Sequence, residues 1–251
     1  MNSSSIEKLL KARGAWLKPV RGEAAHAQAR AGLSRLIADD YAGFEALRDR
    51  LFQLEHMESA EEARGLLDAP DLAAFHAALR QAGLGLGTAA NPLAVDARTR
   101  RYLSGGWLEE LAWLAAIEAG AHEAIYGQVV GWEFKGYSGE NEIDLIMRRS
   151  DRLSFVSCKA LRSELDINDR KHRNRLMDAV HEADNLADHF GKQGEKVAVL
   201  VTTDLYDEVK DTPRYQALMG KAAVLDVRLI ALEELGWAKL VQALEQLMVR
   251  E

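Results

Sequence analysis

The sequence predicts an α/β protein in which a mixed sheet flanked by helices follows a small helical domain. Helical periodicity runs through the first 83 residues, strand-like segments follow one another between 125 and 159, and a β-branched apolar run at 197–201 is typical of a strand buried on both faces. We therefore predict a helical domain over 1–83, a linker with a short strand over 84–104, and a sheet-containing domain over 105–251.

The N-terminal domain shows helical spacing. A short helix is predicted over 6–12, and an extended tail then ends at Lys18-Pro19. Further on, a capping box at 59–62 and Pro70 as a first helical residue indicate two more helix starts. The helix between them has apolar residues at steps of three and four, namely Tyr41, Phe44, Leu47, Leu51 and Leu54. The pattern predicts a small bundle and suggests no chemistry.

Glycines at 83, 85 and 87 open the linker. They do not form a phosphate-binding P-loop, because no strand precedes them and no Lys-Ser/Thr pair follows. The residues after Asn91-Pro92 predict only a short strand over 93–95.

The second domain begins with a strongly apolar helix after Gly105-Gly106, in which Trp107 is a predicted packing anchor. A strand over 125–134, a turn over 136–139 and a hairpin over 140–159 with its turn at 149–152 come next. A helix over about 168–190, the strand at 197–201, a helix starting at Thr212-Pro213, a strand over 224–230 and a closing helix complete the prediction.

The hairpin carries charged residues at one end of a hydrophobic sheet. Because side chains alternate along a strand, one face of its first strand carries Glu142, Asp144 and Ile146, and one face of its second carries Phe155, Ser157 and Lys159. Alternation points Cys158 the other way, as a core thiol. Buried charges are costly unless they are paired or hold a metal, so the pair Asp144 and Lys159 is either a structural ion pair or part of a site.

Composition narrows the function classes. The net charge of -7 argues against a general polyanion binder, so nucleic-acid contact requires a local basic patch. The single cysteine fits a reducing cytosol, and no signal peptide or bilayer-spanning run is visible. We therefore expect a cytoplasmic protein without membrane contact.

The order helix, three strands, helix, strand resembles the core of the restriction-endonuclease-like, or PD-(D/E)XK, nucleases. Their motif places an acid on the second strand and D/E-x-K on the third, where Asp144 and Lys159 stand. Three blocks narrow the resemblance to the nuclease domain of the CARF-linked effectors of type III CRISPR defence, over roughly residues 98–251. These blocks are Gly105 to Glu110, Glu140 to Asp144, and Cys158 to Ala160.

The resemblance implies a hydrolase that cuts phosphodiester bonds with Mg²⁺ or Mn²⁺, with DNA favoured over RNA, in antiviral defence. Asp144 would be the central metal ligand, Glu109 a second ligand and catalytic acid, and Lys159 the group that orients water or stabilises charge. An acid in the first turn of a helix also interacts favourably with the helix dipole, so Glu109 is open to a structural interpretation, and Glu110 is the neighbour most easily confused with it.

The sequence departs from the family pattern in two ways. Residues 1–83 show no alternation of strands and helices, so cyclic-oligoadenylate sensing by a CARF domain is not implied and a separate sensor protein is left open. Ser157 stands where the motif has its acid, and Glu142 would compensate for it only partly as a ligand. We therefore expect activity that needs high metal concentration or prefers Mn²⁺. The alternatives are a degenerate nuclease fold that binds nucleic acid or protein without cutting, and a helical interaction protein with an incidental ion pair.

A basic segment follows Lys159 and would hold the substrate. It contains Arg162, Arg170, Lys171, Arg173 and Arg175 against Glu164, Asp166 and Asp169, so five minus three leaves a charge of +2. Such clusters contact phosphates without reading sequence. Nucleases of this kind often cut as dimers, so the resemblance also allows a homodimer.

Overall fold

The structure is a computed structural model that describes residues 5–54, 70–85, 95–192 and 195–249. The predicted capping box at 59–62 and the first two residues of the predicted linker strand lie outside these ranges. The helices are α1 (Ile6–Lys11), α2 (Ala24–Asp39), α3 (Tyr41–Leu54), α4 (Pro70–Gln81), α5 (Ala97–Arg101), α6 (Trp107–Glu118), α7 (Arg170–Phe190), α8 (Gln216–Val224) and α9 (Trp237–Met248). A π-helical turn, Tyr102–Gly106, joins α5 to α6, and a short 3-10 turn, Leu232–Glu234, precedes α9.

The main sheet has six strands, which are β1 (Ala15–Leu17), β2 (Glu123–Phe134), β3 (Tyr137–Arg149), β4 (Arg152–Lys159), β5 (Lys196–Val201) and β8 (Val227–Ile230). They follow one another across the sheet in the order β1-β2-β3-β4-β5-β8, and the short strands β6 (Tyr206–Asp207) and β7 (Thr212–Pro213) form a separate pair. The first four pair antiparallel, whereas β4, β5 and β8 pair parallel. The parallel strands need helical crossovers, which α7 and α8 supply. The predicted α/β fold with a mixed sheet is confirmed.

Helices cover both faces of the sheet. On one face, α6 buries Trp107, whose ring stacks on that of Tyr41 at a centroid distance of 5.5 Å, so the predicted packing anchor is confirmed. On the other face, α7 buries Leu176, Val180 and Phe190 against β4 and β5. Two hydrophobic cores therefore sandwich the sheet.

The N-terminal segment packs against the sheet. Strand β1 pairs with β2, with Trp16 opposite Gly131. Arg13 makes a bidentate salt bridge to the buried Glu195, with both N–O distances 2.7 Å. Helix α2 packs on α6 within the same hydrophobic core. The predicted boundaries at residues 83 and 105 stay predictions, but β1 and α2 share a sheet and a core with the second domain.

Several local predictions were wrong. Thr212-Pro213 does not start a helix: it forms β7, which pairs with β6 (Tyr206–Asp207), and α8 begins only at Gln216. Pro213 is compatible with this strand, because proline fixes only its own φ and a strand end accepts that φ as readily as a first helical turn does. The turn between β2 and β3, predicted over 136–139, is formed instead by Lys135 and Gly136, both with positive φ.

In the part of the chain described, no helix is both long and apolar enough to cross a membrane.

Candidate functional site

Asp144 lies on β3 beside the end of β4. Its Oδ2 accepts a 2.7 Å hydrogen bond from the backbone N–H of Cys158 and a 3.4 Å hydrogen bond from the hydroxyl of Ser157. Opposite Asp144, Gly127 has a positive φ, and both residues drop out of the pairing between β2 and β3, so the ladder is interrupted there without a change of register. Burial raises the pKa of the Asp144 carboxyl, although the Cys158 N–H and the Lys159 charge both oppose that rise.

Glu109 lies in the first turn of α6, and its carboxylate lies against Gly127 of β2. A Cβ added to Gly127 would be 3.3 Å from Glu109 Oε2, so the missing side chain leaves room for this carboxylate. Burial, followed by the charge of Asp144, raises the pKa of Glu109 to about 7. The charges of the two carboxylates predicted from separate motifs therefore act on each other.

Lys159 ends β4, and its ammonium nitrogen lies 2.6 Å from a carboxylate oxygen of Glu182 on α7. Burial works against the protonated lysine, but the hydrogen bond to Glu182 and the charge of Asp144 outweigh it and raise the Lys159 pKa. The lysine therefore stays charged beside the carboxylates of Glu182 and Asp144. The sequence did not single out Glu182, because it is one of several acids on the exposed side of α7.

Glu142 lies at the edge of this group. Its charge contributes to the raised pKa values of both Asp144 and Glu109, but its side chain is about half exposed and contacts Arg101 at 3.4 Å. Among the described residues, no three His, Cys, Asp or Glu side chains are arranged to hold a metal ion. Asp144, Glu109 and Glu142 therefore do not form a ready three-ligand cage, and their metal role stays a prediction.

The donor set nevertheless suits a hard divalent cation. Two carboxylates with raised pKa values, those of Glu109 and Asp144, lie in a half-buried site, and a cation held by both would relieve the repulsion and the cost of burial. Mg²⁺ prefers oxygen ligands and retains several waters, so two carboxylates are enough for it.

Ser157 and Cys158 come directly before Lys159 on β4, and both donate hydrogen bonds to Asp144 on β3. Ser157 is 4% exposed and contributes only a neutral hydroxyl. Cys158 packs against the core that contains α6, and burial raises the pKa of its thiol well above the ordinary value. The structure therefore agrees with the interpretation of Cys158 as a core thiol.

The structure distinguishes Glu110 from Glu109. Glu110 is buried and makes a bidentate ion pair with Arg30 on α2, with Arg30 Nε 3.0 Å from Glu110 Oε2. Its charge is therefore satisfied inside the protein, and only Glu109 faces the site.

The predicted phosphate-binding segment leads from the end of β4 into α7. Four of its side chains are exposed, those of Arg162, Arg170, Lys171 and Arg175, and Arg173 is half-buried. None of the five forms an ion pair with another described residue. Asp169 is used as the cap of α7, where it accepts hydrogen bonds from the N–H groups of Lys171 and His172. The segment therefore has cationic groups available for an anion, and its nucleic-acid role stays a prediction.

The chain resembles known proteins both in sequence and in structure. Residues 96–240 match the sequence model of the family described as "Card1-like, endonuclease domain". No curated protein matches the chain. The protein VC1899 from Vibrio cholerae has a similar structure, with a TM-score of 0.66 and 16% identity over 98% of this chain and 62% of that one.

A second solved structure is Can2 from Sulfobacillus thermosulfidooxidans in complex with cyclic tetra-adenylate. It superposes with a TM-score of 0.57 and 14% identity over 96% of this chain and 61% of that one. The chain thus spans about three fifths of the length of both structures, and at such low identity they support the fold alone.

Proposed function

The chain belongs to the family of Card1-like endonuclease domains, and from this premise we propose that it hydrolyses phosphodiester bonds in nucleic acid with the help of Mg²⁺ or Mn²⁺. DNA is the favoured substrate over RNA, and the setting is CRISPR-linked antiviral defence. The observation that supports the proposal is that the charge of Asp144 on β3 acts on the pKa of both Glu109 on α6 and Lys159 on β4, while Glu109 lies against Gly127.

Each residue has a separate task in this proposal. Asp144 and Glu109 would hold the cation, which supplies Lewis-acid stabilisation of the attacked phosphate and activation of water. The Cys158 N–H fixes the Asp144 carboxylate, leaving its second oxygen available. Lys159 is charged and stabilises the negative charge that develops on the phosphate.

The experiment compares the chain with Asp144→Asn and Lys159→Ala on single-stranded DNA, double-stranded DNA and RNA, with Mg²⁺ or Mn²⁺. We expect cutting that requires the metal, favours DNA and falls by at least about 100-fold in both variants. Glu118→Gln, which changes an exposed acid at the end of the same helix α6, is the control. Wild-type cutting rates in Asp144→Asn would contradict the proposal.

A cation at this site has a readout independent of cleavage. We expect Mg²⁺ or Mn²⁺ to raise the melting temperature at pH 8, above the Glu109 pKa of about 7, and to have less effect at pH 5, where Glu109 is protonated. Asp144→Asn should abolish the shift. Gel filtration tests the accompanying proposal that the protein is a homodimer.

A second candidate function is a nuclease fold that binds nucleic acid or protein without cutting. Ser157 supports it, because a hydroxyl is a poor ligand where the motif places an acid. This candidate predicts that the chain binds DNA but does not cut it with either metal, and that Ser157→Glu introduces cutting.

A further inference from the structure

A pocket of about 300 Å³ opens beside Glu109. Its walls come from the segment before α2, from α2, from α5, from the start of α6 and from β2 at Gly127. Arg21, Arg98 and Arg101 line it, and Tyr126, Glu109 and Gly127 form the part next to the site. We call it the arginine pocket.

The arginine pocket has cationic groups without internal partners. Arg21 and Arg98 are exposed and make no ion pair or hydrogen bond with any residue that the structure describes. Arg101 has only the exposed 3.4 Å contact with Glu142. The buried Arg30 is neutralised by Glu110. Two guanidinium groups are therefore available, with Arg101 as a third whose present partner is weakly held.

The acids of the pocket do not cancel this charge. The lining contains four arginines and three glutamates, so four minus three leaves a charge of +1. One of the three glutamates, Glu110, is already paired with Arg30. The net positive charge favours an anionic group.

Glycines let the pocket walls approach each other closely. A Cβ on Gly22 would collide with the ring of Tyr126, and one on Gly127 would lie 3.5 Å from the backbone nitrogen of Gly22. The N-terminal segment and β2 therefore meet at their backbones, where the Gly22 N–H donates a 2.7 Å hydrogen bond to the Tyr126 carbonyl. Gly127 also leaves room for the Glu109 carboxylate, which belongs both to the pocket and to the proposed metal site.

We propose that the arginine pocket binds a phosphodiester group of the substrate strand, next to the one that is cut at Asp144. Guanidinium groups match phosphate oxygens in a planar, bidentate geometry. The basic segment after Lys159 supplies further exposed cationic groups for the strand from another part of the chain. This inference rests on the proposed nuclease function and extends it to the N-terminal segment.

The test measures binding without cleavage. A short fluorescein-labelled DNA strand is titrated in EDTA, with anisotropy as the readout, against Arg21→Ala, Arg98→Ala and Arg98→Glu. Each alanine variant should weaken binding about 5-fold and reduce the salt slope by about one, and Arg98→Glu should weaken it further. Lys192→Ala, an exposed cation at the far end of α7, should bind like the wild type.

Equal affinity of the wild type and all three pocket variants would overturn the inference. A loss of the same size in Lys192→Ala would also overturn it, because the effect would then be one of net charge. The measurement contains no metal and no cutting, so its failure is separate from a failure of the nuclease proposal. Circular dichroism melting confirms that each variant is folded.

Discussion

The ammonium group of Lys159 lies 2.6 Å from a carboxylate oxygen of Glu182, so the lysine of the predicted motif is held by an acid on α7. The charge of Asp144 also acts on this lysine. Lys159 is therefore attracted by carboxylates on two different elements, one inside the motif and one outside it. The contact links the orientation of α7 to the charge that the site presents to a phosphate.

We predict that Glu182→Gln lowers the cleavage rate only modestly, by up to about 5-fold, because an ion pair this exposed contributes little and Lys159 keeps its attraction to Asp144. Steady-state cleavage of DNA measures the effect, with Asp178→Asn on the exposed side of α7 as the control. If Glu182→Gln were as inactive as Lys159→Ala, Glu182 would itself be a required acid of the site.

Ser157→Glu should lower the Mg²⁺ concentration needed for half-maximal activity, because it adds an anion beside Asp144. Without metal the same variant should be less stable by about 1–3 kcal/mol, since Ser157 is buried and a second carboxylate there is unpaired. Cleavage at increasing Mg²⁺ concentrations measures the change in metal requirement, and urea unfolding without Mg²⁺ measures the loss of stability. The neutral Ser157→Gln has a similar size and should show no gain in metal affinity.

Glu109 makes stability depend on pH. Its pKa is about 7 in the folded protein against an ordinary 4.5, so the folded state binds the extra proton between those values and loses stability as the pH rises through them. Glu109→Gln should therefore stabilise the metal-free protein by about 2 kcal/mol at pH 8, after allowance for partial exposure. Below pH 4.5 the difference should vanish. Urea titrations at pH 4 and 8 test this, and an equal gain at both would contradict it.

Removing the carboxylate of Glu110 should destabilise the protein, whereas removing that of Glu109 should stabilise it. It is one half of a buried ion pair, so Glu110→Ala leaves Arg30 buried and unpaired and should destabilise the protein by about 3–5 kcal/mol at pH 7. Chemical unfolding gives the value. Replacing both partners by Met and Leu should recover much of the loss, and equal costs for the single and double variants would refute the pairing as the cause.

The sequence was most informative where local pattern and motif coincide. Alternation and apolar runs predicted the hairpin and the strand at 197–201, and three short blocks were enough for a resemblance that the family match confirms as a CRISPR-linked, restriction-endonuclease-like nuclease domain. Asp144 and Glu109 lie 35 residues apart in the sequence, and their joint role as metal ligands stays a prediction, although the charge of Asp144 contributes to the raised pKa of Glu109.

Contacts between distant segments were not predictable in this way. No pattern indicates that β1, only three residues long, would pair with β2, or that Arg30 would find Glu110 rather than water. The N-terminal region suggested no chemistry by itself because Arg21 acquires its neighbours only after the chain folds back onto β2. Periodicity reports which face of an element is buried, but it does not report what covers that face.

The pairing of β1 with β2 has a consequence for handling the protein. Without β1, the edge of β2 would carry unpaired N–H and C=O groups over the stretch from Val130 to Trp132. A fragment begun at residue 96, where the family match starts, would offer that open edge to a second molecule. Such a fragment should associate edge to edge and precipitate, so the nuclease region is best expressed together with the segment that precedes it.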